Sequence, residues 1–181
     1  MTTRILCAGF GGQGALLIGK LMVNAGMLEG KHVTWLPSYG PEMRGGTANV
    51  MCVISDKPVG SPIFDRMDVL VALNQPSLDK FALQTKENGL ILSNASLCGD
   101  PARVDGSVKV VAVPLTEIAE EVGNVKAANM VALGALIELT GCVNRQTVEE
   151  DLRKMLEKKN PALLEQNLTA MERGAKFARQ A

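Results

Sequence analysis

Gly9, Gly11, Gly12, Gln13 and Gly14 are the residues of this chain whose spacing best suits ligand chemistry. They stand in the run Gly9-Phe10-Gly11-Gly12-Gln13-Gly14, in G-x-G-x-x-G register. The short apolar run Arg4-Ile5-Leu6-Cys7-Ala8 precedes it, and an amphipathic segment begins at Ala15. Strand, glycine turn and helix in that order leave main-chain N–H groups free at the helix start, where the dipole favours an anion. The same pattern also serves as a tight turn that binds nothing, and the motif alone does not choose between the two.

A second run, Ser38-Tyr39-Gly40-Pro41-Glu42-Met43-Arg44-Gly45-Gly46-Thr47, weighs toward a site. Gly40-Pro41 and Gly45-Gly46 keep it from being regular structure for long. It leaves the carboxyl end of the second strand, the edge of an α/β sheet where ligands and partners dock. Arg44 carries the forked donors that fit a carboxylate or phosphate, and Glu42 adds an acid close by. The alternative is a solvated surface loop.

The rest of the chain offers little reactive equipment. Cys7, Cys52, Cys98 and Cys142 lie too far apart for metal-clamp spacing and sit in or beside apolar runs, where a cysteine acts as a small hydrophobe. The one histidine, His32, leads into a strand with no paired carboxylate or nucleophile in view. No catalytic residue and no metal ligand is expected. Nineteen acidic and nineteen basic residues cancel, which argues against nucleic acid or a membrane surface as partner. No signal peptide or spanning segment is visible, so the expected location is cytoplasmic.

The elements that would position the glycine loop read as α/β. At 181 residues the chain suits a single domain, residues 1–181, with an aliphatic core. Strands are expected at Thr3–Ala8, His32–Leu36 (stopped by Pro37), Ala48–Ile54, Val69–Leu73, Gly89–Asn94 and Val108–Pro114. The third follows the second after only a loop, so an antiparallel or edge position is expected for it. Helices are expected at Ala15–Leu28, with Leu17, Leu21, Met22, Ala25 and Leu28 inward, and at Ser77–Gln84, capped by Asn74. Thr116–Val122, Ala127–Leu139, Thr147–Lys158 (Val148, Leu152, Met155 and Leu156 inward) and a last helix opened by Asn160 complete the set. Asn129, on the alanine-rich helix, reads equally as an interfacial hydrogen-bonder or a surface amide. The fold class is thus Rossmann-like: a mostly parallel sheet with helices on both faces, at least one antiparallel edge strand, and a helical C-terminal third. A dinucleotide site would want an acid at the end of the second strand. Pro37, Ser38 and Tyr39 stand there instead, which speaks against a free NAD enzyme.

Together, the G-F-G-G-Q-G and S-Y-G-P-E-M-R-G-G-T runs resemble those of the gamma subunit of the 2-oxoacid:ferredoxin (acceptor) oxidoreductases. Asn49-Val50, Ser55-Asp56-Lys57-Pro58, Ser61-Pro62, Leu73-Asn74-Gln75 and Ala128-Asn129-Met130 extend the resemblance over nearly the whole chain. It implies a non-autonomous subunit of a thiamine diphosphate enzyme that decarboxylates a 2-oxoacid, passes the acyl group to coenzyme A and sends electrons to ferredoxin. Thiamine diphosphate, Mg and the iron–sulfur clusters would belong to partner chains: alpha and beta subunits, with or without a ferredoxin-like delta subunit. By this analogy Gly9, Gly11, Gly12, Gln13 and Gly14 hold the phosphate end of coenzyme A or pack against a partner. Ser38, Tyr39, Gly40, Pro41, Glu42, Arg44, Gly45, Gly46 and Thr47 face the catalytic interface. The Glu42-to-Thr47 version of the loop is more like that of 2-oxoglutarate or branched-chain enzymes than that of pyruvate ones. The alternatives are a stand-alone nucleotide- or coenzyme A-binding module, or a gamma-type subunit acting on pyruvate, branched-chain 2-oxoacids or indolepyruvate.

Overall fold

A computed structural model describes residues 1–40, 45–101 and 104–181. In chain order the elements are β1 (Thr2–Phe10), α1 (Ala15–Leu28), β2 (His32–Tyr39), β3 (Thr47–Ser55), β4 (Met67–Ala72), α2 (Gln75–Phe81), β5 (Thr85–Asn94) and β6 (Lys109–Val113). Four helices follow: α3 (Leu115–Glu121), α4 (Ala128–Thr140), α5 (Arg145–Leu156) and α6 (Pro161–Ala178). One six-stranded sheet runs β2-β3-β1-β4-β5-β6. β1, β4, β5 and β6 are mutually parallel, and β3 is antiparallel to both its neighbours. The expected class therefore holds: mostly parallel, with an antiparallel pair at one edge and a helical C-terminal region.

β3 takes the antiparallel of the two positions expected for it. It is interior rather than at the edge, filling the place beside β1 that β2 would take in a dinucleotide-binding unit. The end of β2 is then two strand spacings from β1, about 10 Å. Tyr39, at that end, nevertheless lines a cleft together with Gly11, Gly12 and Gly14. β2 also runs through Pro37 to Tyr39 instead of stopping at Leu36. It is the edge strand, where a missing N–H can face solvent at no cost to the ladder.

Side chains alternate across the sheet. Ile5, Cys7, Val50, Cys52, Val69, Val71, Leu92 and Val111 point to the face covered by α1 and α3 to α6. Leu6, Val53, Leu70 and Ile91 point to the other, closed by Leu78 of α2 with Phe64 and Met67. Helices thus lie on both faces, most of them on one. α1 has the expected bounds, but Leu17 and Leu28 are exposed, and Ile18 and Val23 join Leu21, Met22 and Ala25 inside. On α5 Met155 is likewise exposed. α4 meets α6 backbone to backbone. A Cβ on Gly134 would fall 2.0 Å from the Met171 carbonyl oxygen, and one on Gly174 2.0 Å from that of Val131. The alanine-rich helix therefore packs inside its own subunit, over the β5 side of the sheet.

Candidate functional site

The glycine run sits at the carboxyl end of β1, where the sheet changes winding direction: α1 leads back over the β3 side and α2 leads on over the opposite face. Such a switch point is where open α/β sheets bind ligands. Gly9 still belongs to β1. Its Cβ would meet the Gln13 side chain at 2.9 Å and Leu73 at 3.1 Å, so it is there for close packing. Gly12 (φ 102°) and Gly14 (φ 85°) take the left-handed backbone that makes the turn. A Cβ on Gly14 would also collide with Asn129 of α4 at 2.3 Å. The third glycine of the motif therefore makes room for a neighbouring helix, whereas the close helix-to-sheet approach falls to Gly19, against Val50 and Cys52.

Gln13 closes the crevice beneath the loop. Its Oε1 accepts the Phe10 N–H and the Asn74 side-chain amide, each at 2.7 Å, and its Nε2 donates to the Leu73 carbonyl at 3.3 Å. Asn74 in turn caps α2, its Oδ1 accepting from the Ser77 N–H at 2.9 Å. The second loop is tied to the first: the Gly11 N–H donates to the Gly46 carbonyl at 2.8 Å. Gly45, at φ 78°, donates to the Gly11 carbonyl at 3.4 Å. What remains is a row of donors. The N–H groups of Gly12, Gly14, Ala15 and Leu16 have no acceptor among the described residues.

A cleft flanks the loop on either side. One, of about 270 Å³, is apolar and bounded by Phe10, Leu16, Leu17, Tyr39 and Ala48. The other, of about 260 Å³, lies above Gly12 and Gln13 between the end of β4 (Leu73), the end of β5 (Asn94) and the starts of α3 and α4. Asn94 there is structural: its Oδ1 accepts from the Leu115 and Ser96 N–H groups, and its amide donates to Thr116 Oγ1. Among the described residues on this cleft's wall, Lys126 is the one charged side chain.

The sequence-derived residues therefore divide. Gly11, Gly12, Gln13, Gly14, Gly45 and Gly46 come together, and Tyr39 lines the apolar cleft beside them. Ser38 shares β2 with Tyr39 but projects to the opposite sheet face, level with Asn49. Thr47 opens β3 opposite Phe10, and Gly40 follows the end of β2. Pro41, Glu42 and Arg44 lie outside the described residues. Thr116, Lys126 and the site role of Asn129 were not singled out from sequence, because no local pattern says that two helix starts meet the glycine loop. Of the cysteines, Cys7, Cys52 and Cys142 are buried. Burial pushes the Cys52 thiol up to about 12 and also raises those of Cys7, Cys98 and Cys142.

The family model for pyruvate ferredoxin/flavodoxin oxidoreductase matches residues 4–177. The ketoisovalerate oxidoreductase subunit VorA of Methanothermobacter thermautotrophicus is 43% identical over 98% of this chain; the chain spans only 36% of that relative's length. The 2-oxoglutarate synthase subunit KorC of Methanocaldococcus jannaschii is 35% identical, covering 99% of this chain and 96% of its own. Among solved structures, a keto/oxoacid ferredoxin oxidoreductase gamma subunit from Geobacter sulfurreducens superposes with a TM-score of 0.83 at 32% identity, over 99% of both chains. The 2-oxoglutarate:ferredoxin oxidoreductase from Magnetococcus marinus, solved with 2-oxoglutarate, coenzyme A and succinyl-CoA, gives a TM-score of 0.92 at 26% identity. That match covers 99% of this chain and 31% of the neighbour's.

Proposed function

Because the chain belongs to the pyruvate ferredoxin/flavodoxin oxidoreductase family, we propose that it is the gamma-type subunit of a 2-oxoacid:ferredoxin oxidoreductase. It works only with alpha- and beta-type partners, which hold thiamine diphosphate, Mg and the iron–sulfur clusters. The overall reaction converts a 2-oxoacid and coenzyme A to acyl-CoA and carbon dioxide, with two electrons passed to ferredoxin, in the cytoplasm. The substrate is 2-oxoglutarate in our reading. The ketoisovalerate enzymes, whose VorA subunit is the more similar in sequence, supply the rival.

The observation that carries the reading is the row of free donors at Gly12, Gly14, Ala15 and Leu16. Free N–H groups at the positive end of a helix suit the diphosphate of coenzyme A. Gln13 shapes the loop through Phe10, Leu73 and Asn74, and the second N–H of its side-chain amide is left to donate to the ligand. The chain's part is to bind and orient the acyl acceptor. The Ser38-to-Thr47 loop, tied to Gly11 through Gly45 and Gly46, faces the partner that bears the oxoacid, with Glu42 and Arg44 as its charged contacts.

Reconstitution tests this. Candidate alpha and beta chains are assayed with and without this chain for dye reduction that depends on both coenzyme A and an oxoacid. Activity should require this chain and be greater with 2-oxoglutarate than with ketoisovalerate. Full activity without it would overturn the subunit reading, and a preference for ketoisovalerate would overturn the substrate.

A further inference from the structure

The two edges of the sheet are built differently. β6 is five residues long and opens on the exposed Lys109, and short, charged edges resist pairing with another chain. β2 is eight residues long, and no charged side chain stands between Val33 and Tyr39. The chain's one tryptophan and one tyrosine both lie on it, Trp35 41% and Tyr39 55% exposed, and Leu36 is exposed beside them. A long, uncharged edge with aromatic side chains and a free row of main-chain groups is a template for another strand.

The sequence of β2 says which strand fits. Two copies running antiparallel about a two-fold axis normal to the sheet oppose residues of the same face, so odd numbers meet odd and even meet even. With the axis at Leu36, that residue meets itself, Thr34 meets Ser38, Trp35 meets Pro37 and Val33 meets Tyr39. Apolar faces apolar, hydroxyl faces hydroxyl, and no charge is buried. The Thr34 hydroxyl is shut off from solvent and has no hydrogen-bond partner among the described residues; Ser38 of the second copy stands across from it. An axis at Trp35 would instead set Thr34 against Leu36 and Ser38 against His32. Leu36 also neighbours the half-buried Met51 of β3, so four apolar side chains line the axis on that face. Pro37 withholds one N–H from the ladder, and its ring covers the indole opposite.

The helices leave room. Gly19 and Gly26 bring α1 down onto β3, so the two α1 helices stand three strand spacings apart, about 14 Å. Packed helices need only about 8–10 Å, and Trp35 and Tyr39, on the α1 face with Val33, fill the difference. β2 runs parallel to β1, both being antiparallel to β3. The two glycine loops therefore come to opposite ends of the joined sheet, each open to its own neighbours.

We infer that the edge of β2 is a self-association surface: two copies of this chain join through antiparallel β2 strands, with Leu36 on the axis, into one continuous sheet. The inference is independent of the coenzyme A reading.

Sedimentation equilibrium of the full chain at micromolar concentration should give twice the mass of one chain. Leu36→Lys and Leu36→Glu should each weaken the dimer about a hundredfold, because each sets a charge against its own copy. Mixed one to one, the two variants should pair again, which requires that residue 36 meet itself. Their circular dichroism should match the wild type, since the position is exposed. Oxidised Leu36→Cys in a Cys98→Ser background should yield a covalent dimer, and Trp35→Cys should not. The Leu36→Cys crosslink should also form with alpha- and beta-type chains present. A monomeric wild-type chain, charge variants that do not re-pair, or a crosslink at Trp35→Cys in place of Leu36→Cys would overturn the inference. So would loss of the crosslink when the other chains are added, since one of them would then cover the edge.

Discussion

Gln13 and Asn74 share a 2.7 Å hydrogen bond across the gap between the ends of β1 and β4, so the turn that starts α1 and the cap that starts α2 form one unit. The same Gln13 oxygen also takes the Phe10 N–H. Removing it strands two donors, one of them main-chain. Gln13→Ala is therefore expected to cost about 2 kcal/mol in urea unfolding, within the range for partly buried donors left unsatisfied. A double-mutant cycle with Asn74→Ala should show a coupling of about 1 kcal/mol. Additive losses would mean that the two residues act independently.

The crossing of α4 and α6 makes the next prediction, because its two glycines face carbonyl oxygens and not yielding side chains. Gly134→Ala or Gly174→Ala forces the helices apart along their whole contact and should destabilise by about 3 kcal/mol or prevent folding, the upper end of overpacking costs. Gly106→Ala, whose Cβ would enter open space, is the control and should stay within about 0.5 kcal/mol. Thermal melts of the three variants compare them directly.

Sequence showed the element types far better than their neighbours. The bounds of α1 were legible because Gly14 and Gly30, both at positive φ, bracket it. Its inward face was misjudged at Leu17 and Leu28 because a helix of mostly apolar residues has no sharp polar side to orient it. Strand pairing was the larger gap. The antiparallel sense of β3 followed from the short connection after β2, but its place beside β1 depends on which edges find each other, and no local pattern records that. The site divides the same way. The glycine turn is a local motif and was visible, whereas the part played by Gln13 needs β4 next to β1, and that of Asn129 needs α4 above the loop.

Gly14 separates backbone strain from crowding. Gly14→Ala meets both the left-handed backbone at φ 85° and the Asn129 side chain. Gly12→Ala meets strain alone among the described residues, none of which lies within 4 Å of its Cβ. The Gly12 variant should lose about 1–2 kcal/mol, the usual cost of left-handed backbone for an L-residue, and the Gly14 variant clearly more. Adding Asn129→Ala should recover part of the Gly14→Ala loss and none of the Gly12→Ala loss. Equal losses at the two glycines would show that Asn129 yields freely.

Cys52 supplies a pH dependence with a definite sign. Its thiol is buried beneath α1, and burial lifts its pKa from 9.0 to about 12. Below pH 9 the thiol is protonated in both folded and unfolded chains, so the perturbation costs nothing. Between pH 9 and about 12 the unfolded chain releases this proton and the folded chain keeps it. The unfolded state then binds fewer protons and stability falls as pH rises. The slope is about 1.4 kcal/mol per pH unit for one thiol once the window is entered. Other alkaline titrations contribute to the raw curve, so the useful measurement is the difference from Cys52→Ala. The wild-type chain should hold an advantage at pH 7 to 8, from better packing against Gly19, and that advantage should shrink steadily above pH 9. A difference that stays flat to pH 10.5 would mean that the thiol ionises in the folded chain as readily as in the unfolded one.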